Sequence, residues 1–316
     1  MPTLDFKGKQ FVYAHHLTVP FRQLEIDKKK SLPIDGKQSL DDNLIIQGDN
    51  LHALKALLPQ YAGKVKCIYI DPPYNTGTEG WCYNDNVNSP LIKEWLKDSA
   101  NPVDKDDLER HDKWLCMIWP RLMLLYELLA NDGLMLISID DIEHSNLRAI
   151  LDEIFTENGF FSTFVWRRRT GSSMSSSWVS TDHEYVLAYS KNTDDVFVLG
   201  DERDMTKYNI PDGNGRFFAS MPLTVGMNKE MRPNQWYELK NSKTGTGYWP
   251  TTGRVWGYYP PTMEKKIKAN LIIWPEEYPE RNLTTPRLKT YPEDSKRDRK
   301  PLSTFILEKN KKNDSK

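Results

Sequence analysis

Lys66-Cys67-Ile68-Tyr69-Ile70-Asp71-Pro72-Pro73-Tyr74-Asn75-Thr76-Gly77 is the stretch whose reading decides the fold. Cys67 to Ile70 is a short apolar run with one aromatic, the composition of a buried strand. It ends in a carboxylate followed by two prolines, which forbid helix and fix an extended turn. At the carboxyl end of a parallel strand, that turn presents Asp71 and the Tyr74 ring where α/β sheets bind ligands. A carboxylate beside a flat aromatic face suits a planar, amine-bearing ring.

Working outward, strand and helix patterns alternate. Upstream, Leu44-Ile45-Ile46 reads as a strand ending at Gly48-Asp49, and Leu51, Leu54, Leu57 and Leu58 follow at helical spacing. Downstream, residues 78–113 form a polar, acidic excursion holding Trp81, Tyr83 and Trp95. A helix is expected over 114–130, stopped by Asn131-Asp132-Gly133. Further strands are expected over 134–139, 160–166 and 185–189, with an amphipathic helix over 145–155. Arg167-Arg168-Arg169 and a Ser-rich loop, 171–180, separate the last two strands. The alternation predicts an α/β fold with a parallel, doubly wound sheet to about residue 192. Before it, residues 1–42 read as an irregular arm. After it, residues 193–316 read as a mixed, largely β module rich in Trp and Tyr. Its tail from Arg287 onward is basic, with ten Lys/Arg against five Asp/Glu.

Bulk properties narrow the function classes. The 316 residues carry a net charge of −1, so no global basic field marks a nucleic-acid binder and any such surface must be local. Cys67, Cys82 and Cys116 are scattered, which points neither to a disulfide framework nor to a zinc site. No apolar run reaches membrane-spanning length and no signal-peptide core is present, so a reducing cytoplasm is the expected setting. The six histidines lack metal-ligand clustering, and Asp140-Asp141 reads as a helix cap, so no metal is expected.

Asp71-Pro72-Pro73-Tyr74 with its ordered neighbours resembles the amino-methyltransferases of DNA, in their circularly permuted β class. Asn43 through Leu51 resembles the segment preceding that motif in modification subunits of type III restriction systems. Arg110 to Trp114, Pro120-Arg121-Leu122, Asp132 to Asp141 and His183 to Asn192 resemble the segments following it. Tyr237 through Trp274 resembles the start of the target-recognition region. The resemblance implies a Rossmann-like sheet that binds S-adenosylmethionine (AdoMet). It implies duplex DNA as substrate, and adenine N6 over cytosine N4 because the motif begins with Asp71. It assigns catalysis to Asp71, Pro72, Pro73 and Tyr74, and AdoMet contacts to Asp49, Asn50 and Asp71. Asp49 reads equally well as a helix N-cap, and the two roles are compatible. Asn75, Thr76 and Arg167 to Arg169 are the DNA-contact candidates, with a solvated strand end as the other reading of the arginines.

The chain departs from that pattern in one respect. The family's Phe-x-Gly-x-Gly turn, which holds the methionine part of AdoMet, is missing after the recognition region. So are two strands expected between the Leu44 strand and the Cys67 strand. Gly213-Asn214-Gly215 and Gly245-Thr246-Gly247 read as turns. A fragment binding DNA or a partner without activity is therefore the rival expectation, with a restriction subunit, a chain carrying the missing half, or a second copy as partner. A methyltransferase of RNA or protein with a similar tetrapeptide is a third.

Overall fold

A computed structural model describes residues 3–32, 39, 41–82, 85, 94, 95, 103, 107, 109–169, 178–295 and 299–306. Most of the acidic excursion, including Tyr83, and nearly all of the Ser-rich loop lie outside the described residues. The chain divides into two units, residues 1–198 with 303–316, and residues 199–302.

The first unit is built on a five-stranded sheet. Its strands are β1 (Val65–Ile70), β2 (Leu129–Ile139), β3 (Phe160–Arg167), β4 (His183–Tyr189) and β9 (Phe305–Ile306). Their order across the sheet is β1-β2-β4-β3-β9. β1 runs parallel to β2, but β4 is antiparallel to both β2 and β3. The sheet is therefore mixed, which corrects the all-parallel expectation. β3 and β4 follow one another in the chain and lie side by side in the sheet, and their ladder is antiparallel along its whole length. Another correction concerns the last strand: Phe305 and Ile306 return to this sheet beside Val165 and Trp166, so the tail does not belong wholly to the second unit.

Helices α3 (Asn50–Tyr61), α4 (Arg110–Leu128) and α5 (His144–Phe155) pack with the sheet into one core. Strand register sorts that core by face. Ile68, Met135, Ile137, Ile139, Leu187 and Tyr189 project to one side, and all are buried in the core with Trp114, Leu122, Leu147, Ile150 and Leu151. On the opposite side, Cys67 pairs with Leu134, Tyr69 with Leu136, and Val186 with both Ser138 and Phe164. That side is half open: Tyr69 is 60% exposed, and Leu136, Val186 and Phe164 are only partly buried.

Two expectations at the N-terminal side change. Residues 1–42 are not wholly irregular, because α1 (Lys9–Val12) and α2 (His15–Thr18) pack on α4, and Phe6, Val12 and Val19 are buried there. Leu44-Ile45-Ile46 forms no strand, and Ile45 is fully exposed. An apolar triplet becomes a strand only where a neighbour supplies hydrogen bonds, and β1 at the sheet edge pairs with β2 alone among the described residues.

The second unit matches the largely β expectation. β5 (Ile210–Pro211), β6 (Phe217–Pro222), β7 (Ile272–Ile273) and β8 (Arg287–Thr290) form an antiparallel sheet in the order β7-β8-β6-β5. Helix α6 (Pro260–Lys268) contributes Met263 to a core with Trp256, Trp274, Leu223 and Leu288. Both Gly-x-Gly segments are turns: Gly213 and Gly215 sit at φ +82° and +83°, and Gly245, at φ +74°, closes a hairpin by donating to Asn241 O.

Candidate active site

β1 delivers the chain to Asp71, and the prolines carry it out of the sheet. The turn that follows is fixed at nearly every position. The Trp114 indole donates to Pro73 O at 2.6 Å. Glu79 accepts from the Tyr74 and Thr76 amides at 3.1 and 3.0 Å, one with each carboxylate oxygen. Asn75 has φ +63°, and its buried side-chain amide donates to Glu143 Oε1 at 2.5 Å and Arg110 O at 3.2 Å. Glu143 is itself fully buried and also takes His111 Nδ1 at 2.6 Å and Asn146 Nδ2 at 2.8 Å.

What remains open is the chemistry. Asp71 is exposed and belongs to no described ion pair, and among the described residues no donor reaches Pro72 O. The Tyr74 ring is half-buried against the core. Burial and then the adjacent Asp71 carboxylate push its hydroxyl well above the usual phenol range. Tyr74 is therefore a neutral phenol with its oxygen beside the Asp71 carboxylate. Tyr69 meets Ser138 oxygen to oxygen at 2.5 Å on the same side. Asp140 follows β2, and burial first, then Asp141, Glu184 and Glu79, raise its carboxyl above the ordinary range.

The other predicted residues divide. Asp49 caps α3, accepting from the Leu51 amide at 2.8 Å, and its second oxygen has no partner among the described residues. Asn50 is exposed but accepts from Arg121 Nε at 2.7 Å, and Arg121 in turn grips Asp85 with both terminal nitrogens. Asn75 is turned inward, its buried side chain held by Glu143 and Arg110 O. Thr76 is half-buried and meets Thr78 Oγ1 at 2.9 Å. Of the three arginines, Arg168 pairs with Glu184 at 2.8 Å and Arg167 Nε donates to Arg169 O at 3.0 Å. They therefore lie in a strand-end network of their own. A cavity of about 630 Å³ lined by Phe6, Lys7, Phe11, Trp95 and Asp112 includes none of the predicted residues.

Glu143, Glu79, His111 and Trp114 were not singled out by sequence reasoning. The one legible signal was position: His111 and Trp114 lie in the Arg110–Trp114 segment, and Glu143 follows the acidic pair closing β2. Among the described residues no cluster of His, Cys, Asp and Glu could hold a metal ion, and no helix is long and apolar enough to cross a membrane.

Comparison with known proteins gives the site its context. A family profile described as DNA methylase matches residues 65–313. The chain is 33% identical over 259 residues to the EcoP15I Mod subunit of a type III restriction-modification enzyme from Escherichia coli, covering 78% of this chain and 38% of that protein. It is 31% identical over 288 residues to the StyLTI Mod subunit of Salmonella typhimurium, covering 86% and 42%. The type II methyltransferase M.KpnI of Klebsiella pneumoniae is 31% identical over 228 residues, with 71% and 50% covered. The chain thus spans about two fifths of the length of the two Mod subunits. A solved M1.HpyAVI–SAM complex is similar at 17% identity and a TM-score of 0.29, over 52% of this chain and 60% of that one, a likeness too slight to add to the fold description.

Proposed function

The chain belongs to the DNA methylase family, and from that premise we propose that it methylates adenine N6 in duplex DNA, with AdoMet as methyl donor, as the motif-bearing and recognition part of a restriction-modification methyltransferase. One observation carries the reading: an exposed Asp71 carboxylate next to the hydroxyl of a neutral Tyr74, with Pro72 O free of described donors, on a turn immobilised from behind.

Adenine N6 is a weak nucleophile because its lone pair is delocalised into the ring, and inside a duplex it is out of reach. Extrusion of the base brings it to the turn. Asp71 accepts one N6 hydrogen and Pro72 O the other, which draws the nitrogen towards tetrahedral geometry and frees its lone pair. The Tyr74 ring stacks on the base, an interaction worth on the order of 1–3 kcal/mol in single-strand binders. Bound AdoMet supplies the electrophilic methyl group. Asp49 fits it in part, since its second carboxylate oxygen is available to a hydroxyl or amine. Asn50 is less available because Arg121 holds it. Among the recognition residues, Trp236 and Trp249 lie 5.8 Å apart and Trp249 is half exposed, so this pair is the better aromatic candidate for DNA; Trp256 and Trp274 are core.

A second reading concerns the partner. The open face through Tyr69, Leu136 and Val186, and the edge of β1 that has no further strand among the described residues, favour a chain that adds strands and a covering layer, as one carrying a Gly-rich AdoMet turn would. A restriction subunit and a second copy are further candidates, and the cytoplasm, where Cys67, Cys82 and Cys116 would stay reduced, is the compartment we propose.

The test is methyl incorporation into duplex DNA by the full chain, alone and with a chain carrying the Gly-rich half. Asp71→Ala is expected to abolish it, and retained transfer refutes the assignment. AdoMet titration by calorimetry separates the two readings: tight binding by the chain alone removes the need for a complementing half.

A further inference from the structure

We propose that Glu143 is the positioning residue for the Asp-Pro-Pro-Tyr turn, acting through Asn75. The inference rests on the proposed function and gives Glu143 and its partners a role that the functional reading leaves unassigned.

The geometry is unusual in two ways. Asn75 occupies the left-handed region at φ +63°, an uncommon conformation for a non-glycine residue that Asn tolerates better than most. Its side chain is fully buried, yet only its amide nitrogen is bound; Oδ1 has no partner among the described residues. The hydrogen bond to Glu143 is therefore the anchor for a left-handed backbone position directly after Tyr74. Glu143 has no exposed surface, and a buried polar group is costly unless hydrogen-bond donors meet it. Three do: Asn75 Nδ2, His111 Nδ1 and Asn146 Nδ2.

These partners come from three places in the chain. Asn75 follows β1, His111 opens α4, and Glu143 and Asn146 lie at the start of α5. Glu143 thus ties the turn to two helices at once. Four residues after Arg110, whose carbonyl also receives the Asn75 amide, Trp114 holds Pro73 O. A one-residue shift of the turn would break every one of these bonds. The arrangement keeps Asp71 and Pro72 O in register for a base amine without touching the base. Misplacing reacting groups by about 1 Å costs on the order of 100-fold in rate, and that is the scale at stake.

The experiment is a double-mutant cycle in the full chain, with its complementing half where activity requires one. Asn75→Gly keeps the positive φ but removes the amide, and Glu143→Ala removes the acceptor. Each is expected to lower kcat about 100-fold while KM for duplex DNA holds. The double variant should be no slower than the slower single, because one acts through the other. Glu143→Gln, which keeps one oxygen for Asn75, should be faster than Glu143→Ala; if Glu143→Ala does not fold, kcat and amide exchange of Asn75→Gly carry the test. Hydrogen exchange at the Tyr74 and Thr76 amides gives a reading independent of activity: it should quicken in each single variant and no further in the double. Additive losses, or an Asn75→Gly enzyme with unchanged kcat and exchange, overturn the proposal. Asp71→Ala run alongside keeps the two readings apart. If it still methylates, the functional reading falls and the exchange data alone decide on Glu143. If it is dead and the cycle is additive, only the role of Glu143 falls.

Discussion

The two faces of the five-stranded sheet are made by the same strands and have opposite fates. On the helix side, Met135, Ile137, Ile139, Leu187 and Tyr189 have no exposed surface. One residue along each strand, Tyr69, Leu136, Val186 and Phe164 look outward and remain partly or largely exposed. Strand alternation leaves both sets apolar, so the difference lies in what covers them and not in what they are. Sheets with parallel pairs are ordinarily covered on both faces. One face here is packed by helices, and the other stays partly exposed among the described residues.

Truncating the closed face should have the largest effect. Ile137→Ala removes buried methyl groups between β1, β4 and the helices, and should cost about 2–5 kcal/mol in chemical denaturation. Leu136→Ala, its neighbour on the open face, should cost much less in the isolated chain. Equal losses would mean that the open face is already packed, and the contrast would disappear.

The second prediction sharpens the same contrast through function. Leu136→Glu should leave the isolated chain folded, with its unfolding midpoint nearly unchanged, yet abolish complementation by a chain carrying the Gly-rich half. Pull-down and methyl incorporation measured together read both effects. Unimpaired complementation would show that a covering layer does not use this face.

How much of this was legible in the sequence follows from the same physics. The Asp-Pro-Pro-Tyr turn was readable because proline restricts the backbone locally and the apolar run before it has only one reasonable state. Helices α4 and α5 were readable from apolar spacing, although α4 begins at Arg110, earlier than the expected 114. Leu44-Ile45-Ile46 failed because a strand depends on a neighbour, and no residue type in the triplet reports whether one is there. The direction of β4 failed for a related reason, since apolar alternation is the same in a parallel and an antiparallel ladder. Asn75 read as a substrate contact because an amide after an active-site turn is polar and short. Only the approach of Glu143, 68 residues later, shows that it faces inward. Nothing near Arg168 in the sequence announces its ion pair with Glu184, sixteen residues on and across the strand pair.

A smaller effect belongs to the helix side and to acid. His15, His16 and His144 are each held below the ordinary histidine value of 6.5, burial being the largest cause in every case. The folded state therefore binds fewer protons than the unfolded one, and stability that is present above pH 6.5 is lost as pH falls from there through the lower folded values. The thermal midpoint should drop between about pH 7.5 and 5.5, and His16→Gln with His144→Gln should flatten that drop. A midpoint unchanged over this range would show that these rings are not confined as described.

The smallest effect lies where the two faces meet the site, and its sign is opposite. Asp140 closes β2 with its carboxyl raised above the ordinary 3.8, by burial first and then by Asp141, Glu184 and Glu79. A raised carboxyl means the folded state disfavours the charged form, so a penalty is present at neutral pH and vanishes below the ordinary value. Asp140→Asn keeps an oxygen for the Ile142 amide, which Asp140 Oδ1 now receives at 2.9 Å, and removes the charge. It should raise the thermal midpoint slightly at about pH 7 and leave it unchanged below pH 3.8. The same substitution makes the surroundings of Asp71 less acidic, so it should also tighten binding of the polyanionic duplex at low salt, with the gain fading as salt is added. If the midpoint falls at neutral pH instead, Asp140 is contributing to the fold as an anion, and the acidic strand end beside the turn is a structural feature in its own right.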